Sequence, residues 1–493
     1  MRMRAITIVF SMTALVVGAA GCPSFPGDLC RDGFCDPSDA GASSSSGGGD
    51  GGDGGIIKPP GCDLTKDPKD SPACVDDGVG IFVSPTGSDT ASGKKGEPVK
   101  TIQQALKLVS GGRPRVYVCG DETSAYAGPV VLSSTEGVSL YGGFECVGWA
   151  QKGAKSKVSV SGGGDVALDL EKVKGAAIQD FVFEGPAEGL PNSVAVRVTD
   201  SKGVDFRRVK AVAGNGKSFA KADDGGTGAK GENGNPASGT TPGGLKACLC
   251  GGSGGGGGSP GGDGQTGSPN LGGAPPENGG VGLGGIGCGV GEPNGTGNNG
   301  ASPAAAGAAA KVTTLGTVTA REWSPSGGVV GATGNPGQGG GGGGGRDGTS
   351  AGGSGGCGGC GGLGGKGGAG GGGSVGFLLV GGGVTFQSVE AVTRKGGAGG
   401  AGGAGGPGGM GGTGGGSLGG CGGGDGGQGG KGGAGSGGAG GVSVGVLYKG
   451  EKPPGADSIA WTGEGGGEGG GEGEAGAGNS GPKGTSEKLT EVP

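Results

Sequence analysis

The sequence predicts an all-β solenoid, and three observations lead there. A ten-residue phrase occurs twice, GVDFRRVKAV at 203–212 and GVTFQSVEAV at 383–392, with Gly, Val, Phe, Val, Ala and Val at the same six places. Each copy has a matching entry, SVAVRV at 193–198 and SVGFLL at 374–379, and each runs straight into glycine-rich sequence. A third entry, SVGVLY at 443–448, leads to a weaker echo, DSIAWTG at 457–463. Apolar residues alternating as Val204, Phe206 and Val209 do suit half-buried strands, and a recurring unit of this shape marks a stacked repeat. Val204/Phe206 and Val384/Phe386 are therefore expected at equivalent inward places in neighbouring coils.

Composition limits what else the chain can be. Glycine supplies 149 of the 493 residues. Length alone would suggest about three domains of ordinary size, but glycine brings no side chain to bury and costs roughly 0.5–1 kcal/mol more than alanine to order. The Val/Leu/Ile/Phe clusters suffice for one modest core. The net charge of −6 is spread without a basic block, which argues against nucleic acid as a partner. There is no histidine, so the commonest general base and metal ligand is missing. No cofactor or metal site is expected.

From the start, residues 1–21 carry Arg2 and Arg4, then the apolar run 5–17, then Gly18-Ala19-Ala20-Gly21 before Cys22. This is the pattern of a secretory signal peptide, too short for a spanning helix. The small residues before the cysteine resemble the lipobox of bacterial lipoproteins, although Ala19 stands where that pattern prefers Leu. The resemblance implies lipidation of Cys22, a membrane anchor, and an outer-membrane or cell-surface location. Cleavage after Ala20, with secretion or a periplasmic location, is the alternative. Setting Cys22 aside leaves twelve of the 13 cysteines, the even number of an exported disulfide protein. These are Cys30, Cys35, Cys62, Cys74, Cys119, Cys146, Cys248, Cys250, Cys288, Cys357, Cys360 and Cys421. Residues 22–78, with a Ser/Gly/Asp tether at 43–55, read as a stalk.

The body is expected at 79–213. Val79 to Ser84 is a strand signal; Ile102, Ala105, Leu106 and Val109 follow Thr101 at i, i+3, i+4, i+7, the spacing of one amphipathic helix. Arg115–Cys119 and 138–144 are further strands, with Cys119 and Cys146 plausible partners. The order IFVSPTGSDTASGKKGEPVKTIQQAL, RVYVCG, GVSLYGGFECVGW over about residues 80–150 resembles the N-terminal portion of bacterial right-handed parallel β-helix proteins. In that family the helix caps the first rung, and the domain is mainly one of unknown function. The resemblance implies a shape, not a reaction.

Rungs are then expected at 303–324, 374–392 and 442–462, separated by glycine-rich inserts at 214–302, 325–373 and 393–441. Residues 396–416 and 355–373 repeat Gly-Gly-X. Collagen needs glycine only at every third place with abundant proline, whereas Gly-Gly-X suits three-residue-per-turn extended helices that could bond side by side, a polyglycine II-like arrangement. The composition is similar to the polyglycine repeats of PE-PGRS surface proteins and of glycine-rich antifreeze proteins; no PE domain is present. Disorder is the competing reading. The first insert, lacking a strict period, is expected to be irregular, and 463–493 to be a disordered acidic tail.

Chemistry is sparse. Cys357-Gly-Gly-Cys360 has redox or zinc half-site spacing but no second pair nearby, so disulfides that staple the inserts are expected. Asp165, Asp169, Asp180, Asp200, Asp205, Arg207 and Arg208 are the residues a polysaccharide lyase or hydrolase of this shape would use. No catalytic motif accompanies them. The reading is a structural or adhesive surface protein, with cell-surface glycans or surface proteins as partners. A polysaccharide-acting enzyme and an ice- or surface-binding polyglycine bundle are the alternatives.

Overall fold

The computed structural model describes residues 58–110, 112–160, 164–187, 190–268, 295–319 and 321–493. Cys22, Cys30, Cys35 and Cys288 lie outside them. The chain winds through three parallel sheets in a fixed cycle. It begins with β1 (Gly80–Val83) and α1 (Ile102–Leu108). The next turn is β2 (Arg115–Cys119), β3 (Ala125–Gly128) and β4 (Val130–Ser133). Then come β5 (Ser139–Phe144), β6 (Ser156–Val160) and β7 (Val166–Glu171), and after them β8 (Lys174–Gln179), β9 (Phe181–Glu184) and β10 (Ser193–Thr199).

The fifth turn opens with β11 (Lys202–Arg207) and β12 (Lys210–Val212). It makes a long excursion holding the small pieces β13 (Lys246–Ala247), β14 (Ser253–Gly254), β15 (Gly316–Thr319) and β16 (Glu322–Pro325), and closes with β17 (Ser374–Val380). The last turns are β18 (Val384–Gln387), β19 (Glu390–Thr393) and β20 (Ser443–Lys449), then β21 (Ala460–Gly463) and β22 (Ser486–Glu491). Sheet 1 stacks β1, β2, β5, β8, β11 and β18; sheet 2 stacks β3, β6, β9, β12, β19 and β21; sheet 3 stacks β4, β7, β10, β17, β20 and β22.

The repeated phrase occupies neighbouring turns. Val204 pairs with Val384 and Phe206 with Phe386 in one parallel ladder, the two rings stacked 5.8 Å apart. Alternation sends Val204, Phe206, Ile178 and Leu140 into the central core, where Phe181, Phe183 and Phe377 join them. Thr101 caps α1, its hydroxyl accepting from the Gln104 amide, and Ile102 and Ala105 enter the same core. Turns are tight because corner residues adopt left-handed backbone. Asp180, Arg208 and Ser388 sit at φ 53–59° after successive sheet 1 strands, and Asp200 (φ 49°) and Gly381 (φ 97°) after sheet 3 strands. Such backbone is uncommon outside glycine.

Several boundaries differ from the sequence-based expectation. Residues 58–78 are not part of a stalk. They pack on the outside of sheet 1, where the Tyr117 hydroxyl donates to the Cys74 carbonyl, and Val75 joins Phe82, Tyr117, Tyr141, Phe144 and Trp149 in an outer aromatic cluster. Residues 303–324 are not a rung. β15 and β16 form an antiparallel hairpin whose Val318 and Trp323 cover Val375, Leu378, Val444 and Leu447 on the outer face of sheet 3. The end of the chain is not a loose tail, since β22 extends sheet 3 beside β20.

The described glycine-rich segments are ordered by backbone bonds that recur every third residue. Gly409, Gly412 and Gly415 donate to Cys360, Cys357 and Ser354; Gly359, Gly362 and Gly365 donate to Gly427, Gly430 and Gly433. The stretch 214–237, expected to be irregular, follows the same rule. Gly225, Gly228, Gly231 and Gly234 donate to Ala404, Pro407, Met410 and Thr413. Its period is hidden because only one residue in three must be small.

Candidate functional site

The acidic and basic residues singled out from sequence fall into two groups on different sheets. On the outer face of sheet 1, β11 directs Asp205 and Arg207 outward, and the corner after it supplies Arg208. Arg207 donates to Asp67 at 2.9 Å and to Asp205 at 2.5 Å. Arg208 grips Asp180 at 2.7 and 2.9 Å and reaches Asp67 at 3.4 Å. Gln179 donates to Asp67 at 2.9 Å. Asp67 sits in the Cys62–Cys74 disulfide loop, so this network is a latch that holds the N-terminal segment on the sheet. Its carboxylates are occupied by guanidinium and amide donors. Asp200 is an exposed corner residue apart from it.

The second group lies outside sheet 3. Arg197 of β10 forks onto Asp169 of β7 with bonds of 3.2 and 2.7 Å and reaches Asp165 at 2.7 Å. Arg321, in the β15–β16 turn, donates twice to Asp169 at 2.6 Å and once to Glu171 at 2.7 Å. Burial pushes the Asp169 carboxyl up, but the two guanidinium groups outweigh it and hold the group below its ordinary value. Burial pulls Arg197 down, but the Asp169 and Asp165 carboxylates outweigh it and hold the guanidinium above its ordinary value. A cleft of about 380 Å³ opens beside this cluster, with Asn192, Trp323 and Leu378 in its wall. Sequence reasoning found Asp165 and Asp169 but missed Arg197 and Arg321. The one available signal was an arginine set between the valines of SVAVRV.

The cysteines stabilise the inserts. Cys248 is bonded to Cys357 and Cys250 to Cys360, so the Cys-Gly-Gly-Cys spacing joins two inserts rather than closing on itself. The backbone bonds of these runs recur every third residue, the separation of Cys357 and Cys360, which puts both thiols of the pair on one side. Cys119–Cys146 closes the aromatic cluster, and Cys421 is also disulfide-bonded. Among the described residues no group of Cys, Asp or Glu is placed to hold a metal ion, and no helix is long and apolar enough to cross a membrane.

Outside the three sheets the glycine runs form one hydrogen-bonded bundle. Its excursions leave at one corner, between sheets 2 and 3, after β12, β19 and β21. The outward runs 216–237, 395–416 and 465–471 are mutually parallel, and so are the returning runs 353–371, 421–439 and 479–485. Leu363 and Met410 stand out from it, 54% and 67% exposed.

No family model matches the chain, and no curated protein matches it. Among solved structures, a rhamnogalacturonan lyase is similar at a TM-score of 0.23 and 15% identity, over 31% of this chain and 40% of that one. The chain thus spans less than half the length of that enzyme, and a likeness this slight assigns no activity.

Proposed function

We propose that the protein is an exported, lipid-anchored component of the bacterial surface with a structural or adhesive role. In this reading a right-handed β-helix serves as a rigid stem, and its glycine inserts form a polyglycine II-type bundle as the presenting face. One observation carries it: the 180-residue register of the coils continues through the glycine runs. Thr385 bonds Asp205 within the sheets, and Ala398, Ala404 and Thr413 bond Ser218, Asp224 and Asn233 beyond them, every pair 180 apart. A chain that extends its fold through so much backbone is building a surface. Of the carboxylates a lyase or hydrolase would need, Asp165, Asp169, Asp180 and Asp205 are engaged in ion pairs and Asp200 stands alone at an exposed corner, which favours the non-catalytic reading.

The test is made on whole cells of a bacterial host. Labelled palmitate should enter the wild-type protein and not Cys22→Ala, and external protease should reach it. Replacing 396–441 by a short corner like that between β9 and β10 should leave the protein exported while lowering cell adhesion to glycan- or protein-coated surfaces. Cytoplasmic retention, or adhesion equal to wild type with 396–441 removed, would sink the proposal.

A further inference from the structure

The structure carries a second guanidinium as buried as Arg197 but without its carboxylates. Arg115 in β2 is 4% exposed. Its Nη2 donates to the carbonyls of Leu64 and Lys66 at 2.6 and 3.1 Å, and its guanidinium lies 5.1 Å from the Tyr141 ring centre. Its Nη1 is buried and has no hydrogen-bond partner among the described residues. The nearby carboxylate, Asp67, is engaged by Arg207, Arg208 and Gln179. Among the described residues this buried cation meets neutral groups, the two carbonyls, the Tyr117 hydroxyl and a ring face, and is incompletely compensated.

Arg115 also lines a cleft of about 560 Å³, between the 58–78 segment and the turns that precede β2 and β5. Its walls also include Val109, Pro114 and Tyr141 and the polar residues Ser110, Thr135 and Ser139. The Thr135 hydroxyl is a second buried polar atom without a partner among the described residues. Glu136 is exposed at this cleft and makes no bond to Arg115. The volume lies within the range of small-ligand sites, which pair apolar walls with a few fixed polar groups.

We infer that this cleft binds a carboxylate-bearing ligand. The carboxylate would take the unpartnered Nη1 of Arg115, as the Asp169 and Asp165 carboxylates take Arg197. The Thr135, Ser139 and Ser110 hydroxyls would meet hydroxyl groups next to it, so a sugar acid fits better than a bare acid.

The experiment is calorimetric titration of the full chain at low salt with glucuronate, glucose and acetate. Glucuronate should bind, and glucose should be weaker by about tenfold or more, the value of one charge-assisted pair. Arg115→Lys keeps the charge but loses the planar fork, so it should cost about the same factor. Thr135→Val should weaken glucuronate and leave melting unchanged, which keeps the test open if the Arg115 variant does not fold. Acetate as tight as glucuronate would support a carboxylate site and assign it to small free acids; weaker acetate assigns it to a sugar acid. Glucose equal to glucuronate, no binding to wild type, or both variants binding like wild type would overturn the inference. So would glucuronate binding only to Glu136→Gln, since Glu136 would then be the partner of Arg115.

Discussion

Changing Gly362 to alanine should disturb the bundle at its centre. Gly362 donates to Gly430 at 3.0 Å, and its carbonyl accepts from Gly334 at 2.8 Å. A β-carbon added there would fall on the Gly406 carbonyl oxygen, 2.6 Å from its carbon and 2.7 Å from the Pro407 oxygen. The neighbouring run must retreat, which is overpacking of backbone against backbone and costs about 1–3 kcal/mol. The retreat threatens the bonds from Gly406 to Leu363 and from Gly409 to Cys360, at 2.9 and 2.8 Å. At a net 0.5–1.5 kcal/mol each they add about 1–3 kcal/mol. Alanine also restricts the unfolded chain, which returns about 0.4–1 kcal/mol. The expected loss is therefore about 3 kcal/mol.

Met410→Ala is the control, because this side chain points out of the neighbouring run and is 67% exposed. Its effect should stay within about 0.5 kcal/mol. Urea unfolding measures the loss, and hydrogen exchange across 396–416 locates it. If Gly362→Ala unfolds with wild type and 396–416 stays protected, backbone contact between runs does not hold the bundle and the reasoning fails.

Acid should unfold the protein partly through Asp169. Its native pKa lies below its ordinary value, so the stability it contributes is complete above about pH 4, the unfolded value, and is lost as pH falls through the lower native one. Asp169→Asn should cost about 3 kcal/mol at neutral pH by leaving Arg197 and Arg321 short of a partner and should flatten that acid limb; an unchanged acid midpoint by circular dichroism would refute it. Reduction should release the 246–254 hairpin from the bundle before the coils are affected, because Cys248–Cys357 and Cys250–Cys360 close loops of 109 and 110 residues. Closures of that size contribute up to about 5 kcal/mol each, less here because the runs already restrain both ends. Exchange that rises first in the coils would contradict this order.

The coils were legible because side-chain burial leaves a period in the sequence. Alternation at Val204/Phe206 and its copy at Val384/Phe386 gave the strands and the neighbour relation together. Alternation does not name a strand's partner, which is why the hairpin at 316–325, apolar at Val318 and Trp323, read as another rung. The latch at Asp67 left no trace either. A carboxylate that meets Arg207 from 140 positions away looks like any other charge in a polar segment. The tail misled for a third reason: its Gly/Glu composition promises no side chain to bury, yet 481 and 484 are held by bonds to Gly470 and Gly467. Order made by backbone alone is invisible to a reading based on side chains.

The glycine content follows from the coils rather than standing apart from them. Strands of a sheet lie about 4.8 Å apart, and each glycine run is the direct continuation of a strand at one corner. Successive runs therefore leave the solenoid at that same spacing, far closer than runs bearing side chains on every face could stand. Inside the bundle only backbone fits, so at Gly356, Gly359, Gly362 and Gly365 an added β-carbon would strike the carbonyls of Gly412, Gly409, Gly406 and Gly403. Side chains survive where a run faces outward or into a gap, and there the chain places Cys357, Cys360, Leu363 and Lys366, one every third residue. Two glycines in three are thus what a bundle built at β-sheet spacing requires, and the third position is where disulfides, charge and contact with anything outside can be placed.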